Sequence, residues 1–311
     1  MPAVTVLVPT YEPDPAHLRA ALDALFRQHS QDWNVVIHDD ASTNDVEAII
    51  SPYRASDRCT FIKSEKRLGI AGNWNACLAH AKNPFAQYLF QDDVWHDAYL
   101  ERALKAMTPE VGLVVTAHKY QIEGTMRFDK ELNAWYRLVE KERSELPSGR
   151  QNGKMFLLNW LQRCLHPNLI GEPSFVLTRR ELFEGVGKFN GALPQGLDLE
   201  MWTRLLPLTD LAFIKEDGGF FRVHTKGASA RNKEEGAGLL DRLSVLDRLT
   251  KHVDTSLKAG ARNAFSTSLS EMFYKANERK AREAAVPLIE KLRFVGLALK
   301  HPLLTLKGVL K

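Results

Sequence analysis

Val4-Thr5-Val6-Leu7-Val8-Pro9 opens the chain with a short apolar run stopped by proline, the pattern of a buried strand. Asp14-Pro15 then supplies a helix cap with proline at the first helical position. Leu18, Leu22, Leu25, Phe26 and His29 follow at helical spacing, so a helix is predicted over 15–29. The alternation continues outward from there. Strands are predicted at Asn34–His38, Thr60–Lys63, Gln87–Phe90 and Gly112–Ala117. Helices are predicted at Asp45–Tyr53, around Trp74, Cys77, Leu78 and Ala81, and around Leu100, Leu104 and Met107, the last capped by Asp97. Such alternation predicts an α/β fold with a mainly parallel central sheet and helices on both faces. Ligands of such sheets bind outside the carboxyl ends of the strands. Acids stand at two of those ends: Asp39-Asp40 after the second strand and Asp92-Asp93 after the fourth.

Composition excludes several classes. The chain has 311 residues, 44% hydrophobic and 26% charged, with 42 Lys and Arg against 38 Asp and Glu, a net charge of +4. It is neither disordered nor a disulfide scaffold, and so mild an excess makes no nucleic-acid binder. Cys59, Cys77 and Cys164 are dispersed and odd in number, which suits a reducing compartment. No signal-peptide pattern and no apolar run long enough to span a bilayer is seen, so a cytoplasmic location is expected.

The polar stretch Gln121–Gly153 is expected to be a mobile excursion near the substrate, with local helix. Beyond it, helix is predicted over Lys154–Cys164, Arg180–Phe183 and Asp198–Leu206, and strand at Ser174–Leu177, Leu211–Ile214 and Phe220–Val223. From Asn232 the chain reads as three or four helical segments. The expected organisation is a domain over 1–230, with halves 1–120 and 121–230, and a helical C-terminal region over 231–311.

No phosphate-binding GxxxxGK[ST], no GxGxxG after a strand and no GxSxG elbow occurs. Asp92-Asp93 beside an aromatic strand repel one another unless a cation or donors neutralise them; a hard divalent ion does so with oxygen ligands, while the plainer reading is a helix cap and a solvated acid. Asp39 can accept an N–H such as a pyrimidine N3–H, or close an Asx turn with the polar residues after it. Asp198 and Glu200, two apart in a helix, face different ways; one can serve as a general base, or both can simply enrich a first turn in acid. Arg222 and His224 share a strand face and can meet phosphate or metal.

Together these stretches resemble inverting family 2 glycosyltransferases of the GT-A fold. Val6-Leu7-Val8-Pro9-Thr10-Tyr11 is similar to the family's opening strand and turn, Val36–Asp45 to its V-D-D-G-S-T-D, and Leu68–Asn75 to its G-x-x-x-N-x-N. Gln91-Asp92-Asp93-Val94-Trp95 resembles its metal-binding D-x-D region. Gly171–Arg180 with Val186–Phe189, Asp198–Leu205 and Phe221–His224 resemble its acceptor-side, base and closing motifs. The seven matches run in order from residue 4 to about 229.

The resemblance implies a nucleotide-diphosphate sugar donor, UDP or dTDP favoured, and a glycan or glycolipid acceptor in bacterial surface polysaccharide synthesis. It places Thr10, Tyr11, Glu12, Asp39, Gly69, Asn73, Asp92 and Arg222 against the donor. Asp93 and His224 would hold Mg²⁺ or Mn²⁺, and Asp198 would be the base. Leu197 stands where the pattern has Glu, and Glu200 where it has Asp, so Glu200 is the alternative base. Two other classes compete: a non-catalytic sugar-nucleotide-binding or scaffold subunit, and a nucleotidyltransferase, which the lack of a glycine-rich basic loop disfavours.

Residues 291–311 hold five Lys or Arg, no Asp or Glu, and many Leu and Val, with Pro302 dividing two helices. Residues 286–311 are expected either to lie on the cytoplasmic face of an inner membrane or to pack on the catalytic domain or a second copy.

Overall fold

The structure, a computed structural model, describes residues 3–123, 129–225, 227–235, 237–279 and 288–309. It opens as β1 (Val4–Thr10), α1 (Pro15–Phe26), β2 (Trp33–Asp39), α2 (Val46–Arg54), β3 (Cys59–Lys63), α3 (Gly69–Ala79) and β4 (Phe85–Tyr88). β5 (Val94–Trp95), α4 (Tyr99–Ala106), β6 (Val111–Thr116), β7 (Lys119–Ile122), α5 (Asp129–Ser144), β8 (Gly149–Gln151) and α6 (Gly153–Gln162) follow. Then come β9 (Val176–Arg179), α7 (Arg180–Val186), α8 (Leu197–Leu205), β10 (Asp210–Ile214) and β11 (Gly219–Val223). The chain closes with α9 (Ala228–Glu235), α10 (Asp241–Leu249), α11 (Thr255–Arg279), α12 (Leu288–Lys300) and α13 (Pro302–Val309).

An eight-stranded sheet runs β3-β2-β1-β4-β9-β6-β10-β8. β3, β2, β1 and β4 are parallel, β9 lies antiparallel between β4 and β6, and β8 is an antiparallel edge on β10. Strand order reverses between β1 and β4, so their carboxyl ends flank a crevice. A small sheet, β5-β11-β7, sits beside that crevice. It turns on Gly219, whose φ of +143° and close approach to the Val94 carbonyl leave no room for a side chain.

β1 is buried on both faces, as its unbroken apolar run implies. Val4, Val6 and Val8 pack with Leu18, Leu22 and Leu25 of α1, while Leu7 joins the opposite core with α3, α6, α8, α10 and α11. α1 starts where Asp14 accepts the N–H groups of Ala16 and His17. It ends at Phe26, short of the expected His29, because buried Gln28 bonds to the Ala24 and His96 carbonyls and the His29 N–H turns to the Asp97 carbonyl. Asp97 does not cap α4; Ala98 holds the cap position, and the Asp97 carboxylate pairs with Arg27 at 3.6 Å.

The strand predicted from Ser174 begins at Val176. Pro173–Phe175 form a 3-10 turn instead, because its carbonyls and hydroxyl serve Gln87, Trp95 and Phe90. The fourth strand ends at Tyr88, so Asp92-Asp93 lie in the turn beyond it. The polar excursion is not loose where described. α5 docks through Tyr136 stacked on Tyr120 at 4.2 Å, Trp135 on His166 at 4.9 Å, and buried Arg143; residues 124–128 lie outside the described residues. The C-terminal helices share one core with α6 and α8 through Leu243, Leu246, Leu257, Ala261 and Phe265. The segment expected over 286–311 is described for 288–309.

Candidate active site

Two carboxylate centres line the crevice. The first follows β4. Asp93 is fully buried; its Oδ1 accepts the Arg222 N–H at 3.1 Å, while Oδ2 has no hydrogen-bond partner. Burial, reinforced by the charge of Asp92, pushes the Asp93 carboxyl well above the usual carboxylate range. Asp92 Oδ2 lies 2.9 Å from His224 Nε2. β11 thus delivers both Arg222 and His224 to the acid pair, although the strand ends at Val223 and His224 stands just beyond it. Arg222 does not face the crevice as a phosphate ligand. Its Nε donates to the Asp92 carbonyl at 3.0 Å and its guanidinium pairs with Glu123, whose other oxygen lies 3.2 Å from His17.

This centre fits a divalent cation. An ionised Asp93 leaves one buried oxygen without any donor, which only a proton or a cation can satisfy. Asp92 and His224, 2.9 Å from one another, add oxygen and nitrogen donors at the same turn. Among the described residues no group of three or more His, Cys, Asp or Glu side chains is placed to hold a metal ion by itself, so a bound ion would take the rest of its shell from ligand or water.

The nucleoside side is more enclosed than expected. Thr10 and Asp39 are buried, and Thr10 Oγ1 donates to Asp39 Oδ1 at 3.1 Å. Asp39 Oδ2 accepts the Ser42 N–H at 3.0 Å, so this fully buried carboxylate closes an Asx turn. Asn73 is likewise internal: its amide donates to the Thr10 carbonyl at 3.0 Å and its oxygen meets His38 Nδ1 at 2.7 Å. Glu12 accepts the Thr43 N–H at 2.7 Å. Gly69 donates to Asp40 Oδ2 at 2.9 Å, so Asp40 anchors the start of α3. Tyr11 is only partly covered, its backbone bridged to Gln91 and its ring under Arg67 at 4.2 Å. Arg67, an exposed cation at the mouth of the crevice, carries no sequence signal of its own.

The second centre is at the start of α8. Asp198 is half-buried; its Oδ2 accepts Asn168 Nδ2 at 2.7 Å and its Oδ1 accepts the Leu199 N–H at 2.7 Å. Burial first, and the charge of Glu172 second, raise its pKa from 3.8 to about 7. Asn168 is held in turn: its Oδ1 accepts the Gly171 N–H at 3.0 Å and its carbonyl accepts Arg143 at 3.2 Å. Arg143 also donates to Glu172 Oε2 at 3.2 Å, and Tyr120 donates to Glu172 Oε1 at 3.0 Å. Burial works to raise the Glu172 pKa, but the Arg143 charge and His118 hold it well below the usual range. Gly171 has φ +88°, and a Cβ there would strike Arg143, so the loop needs glycine. Behind α8, Asp241 accepts the Gln195 and Gly196 N–H groups at 2.7 and 2.9 Å, and Arg293 of α12 pairs with Asp241 at 3.1 Å.

Glu200 is not a free base. It is buried, with Oε2 taking both Nε and Nη2 of Arg204 at 3.0 and 2.8 Å and Oε1 paired with Arg248. Its two oxygens tie α8 to α10, while Asp198, two residues earlier, points to the Asn168 loop.

Residues 5–187 match the profile described as Glycosyl transferase family 2. The chain belongs to that family. An uncharacterized glycosyltransferase of Rickettsia typhi is 21% identical over 294 residues, 93% of this chain and 86% of its own length. The succinoglycan biosynthesis protein ExoW of Rhizobium meliloti is 31% identical over 120 residues, 35% of each chain. Among solved structures, S. aureus TarS 1–349 in complex with UDP-GlcNAc superposes with TM-score 0.68 and 15% identity, covering 96% of this chain and 79% of that one. The mannosyltransferase PcManGT of Pyrobaculum calidifontis, in complex with GDP-Man and Mn²⁺, has TM-score 0.59 and 19% identity, covering 100% of this chain and 86% of that one. The fold of this family 2 chain is therefore GT-A, with C-terminal helices appended. The family match ends before Asp198, so the second centre rests on the structure.

Proposed function

We propose that this family 2 glycosyltransferase moves a sugar from a nucleotide-diphosphate sugar to a hydroxyl of a glycan or glycolipid acceptor, with inversion, in the synthesis of a bacterial surface polysaccharide. The carrying observation is Asp198, a half-buried carboxylate with pKa about 7 held beside the crevice by Asn168. A base of that pKa is half ionised near neutrality and strong enough to take a hydroxyl proton in a transition state. As the acceptor oxygen attacks the anomeric carbon, its proton passes to Asp198 and the bond from that carbon to the diphosphate oxygen breaks. Attack opposite the leaving group inverts the centre. Arg143 and Glu172 fix the Asn168 loop, so Asp198 meets the acceptor in one orientation.

The leaving group falls at the other centre. Asp92, Asp93 and His224 would hold Mg²⁺ or Mn²⁺, with the nitrogen donor favouring Mn²⁺. A bound divalent ion supplies charge neutralisation for the departing diphosphate. Tyr11, Glu12 and Arg67 line the mouth where a nucleotide would enter, and the TarS complexes with UDP and UDP-GlcNAc and the PcManGT complex with GDP-Man support a nucleotide-diphosphate sugar donor. Cys59 and Cys77 are free thiols, in keeping with a cytoplasmic site of action.

Nucleotide release from UDP-sugars, with and without Mn²⁺ and acceptor, tests the reading. Metal-stimulated release that Asp198→Asn abolishes while UDP still binds is the expected result. Release unaffected by that substitution removes Asp198 as base, and no nucleotide binding at all leaves a scaffold role.

A further inference from the structure

α12 and α13 have two unlike faces. Inward, Leu297 is buried and Phe294 and Leu304 pack on the core shared by α10 and α11. Arg293 and Lys300 anchor the pair to Asp241 and Asp247. Outward, Leu292, Val295 and Leu299 recur at helical spacing, and Leu303 and Leu306 carry the stripe onto α13. Leu299 is 76% and Leu303 79% exposed, so this row does not serve the fold of the single chain. Exposed Lys291 borders it, and no acid occurs between residues 291 and 311.

We propose that this outer face of α12 and α13 seats the protein on an anionic phospholipid surface. Leucines partition into the acyl boundary while exposed Lys291, in a stretch without acids, meets lipid phosphate. A second copy is the poorer occupant, because a symmetric contact sets one cationic border against another. The same helix meets the active site: Arg293 pairs with Asp241, which holds the backbone just before Asp198. A bilayer on this face would therefore lie on the side of the molecule that supports the base.

Flotation of the full chain tests this with two probes, vesicles of phosphatidylcholine alone and of phosphatidylcholine with phosphatidylglycerol, in the absence of any sugar. The wild type is expected to float with the anionic vesicles, less so at high salt, and Leu299→Glu with Leu303→Glu to lower the bound fraction about tenfold. Val295→Ser with Leu299→Ser, milder surface changes, should lower it less; both variants are checked by circular dichroism melting. Binding equal for wild type and both folded variants overturns the proposal, as does no binding to anionic vesicles. A concentration-dependent dimer that the Glu variant dissociates, with no flotation, assigns the face to a second copy. Nucleotide release in solution should be unchanged by these substitutions, so failure here leaves the glycosyltransferase reading standing.

Discussion

Asp198→Asn should abolish sugar transfer and yet change the sign of its effect on stability with pH. In the folded protein the Asp198 pKa rises from 3.8 to about 7, so folding favours the neutral acid. Below the unfolded pKa both states are neutral and nothing is lost. As pH climbs through the interval from 3.8 to about 7, the unfolded chain ionises first and stability falls. The full shift corresponds to about 4 kcal/mol at ~1.36 kcal/mol per pH unit. Water reaches part of this side chain and screens it, so roughly half, about 2 kcal/mol, is the expected loss by pH 8. Asparagine escapes that loss but keeps only one of the two acceptors used by Asn168 and Leu199, at about 1 kcal/mol. The variant should therefore be about 1 kcal/mol less stable than wild type near pH 4 and about 1 kcal/mol more stable near pH 8. Urea unfolding of both proteins across that range, with m-values compared, measures it. A stability difference that does not vary with pH would refute the buried-base argument, whatever the activity.

Three more outcomes follow from the same geometry. Glu172→Gln removes the second cause of the Asp198 shift, so the rising limb of the pH–rate profile should move acid-ward by up to about one unit; it should also cost a few kcal/mol in urea unfolding, because buried Arg143 loses its carboxylate. Glu200→Gln should cost roughly 3 kcal/mol through loss of the Arg204 and Arg248 pairs, while transfer per folded molecule stays within a few-fold of wild type; loss of transfer in a fully folded variant would make Glu200 the base. Asp93→Asn should stabilise the protein without metal at neutral pH, since an amide escapes the cost of keeping a buried carboxyl protonated, and should abolish the thermal shift that Mn²⁺ with UDP gives the wild type.

Much of the first half was legible because local patterns and the final state agree there. The apolar run of β1, the Asp14-Pro15 start of α1 and the short helix read over Asp45–Tyr53 are short-range signals, and the structure keeps them, with Asp45 as the cap of α2. Where reading failed, a distant partner had intervened. Ser174 reads as strand but forms a 3-10 turn that Gln87 and Trp95 require. The polar run after Gln121 reads as loose because its anchors, Tyr136 and Arg143, bury only against Tyr120 and Glu172.

The sequence by itself determined an α/β chain with acids at strand ends, a helix with an acidic first turn and a basic apolar tail, because composition and period need no partner to be read. Tertiary structure alone decided what each acid does. Asp39 and Glu200 are satisfied by Ser42, Arg204 and Arg248, whereas Asp93 keeps a bare buried oxygen and Asp198 a raised pKa. A carboxylate's role depends on the charges and donors around it, and those arrive from residues up to 132 positions away, as His224 does at Asp92.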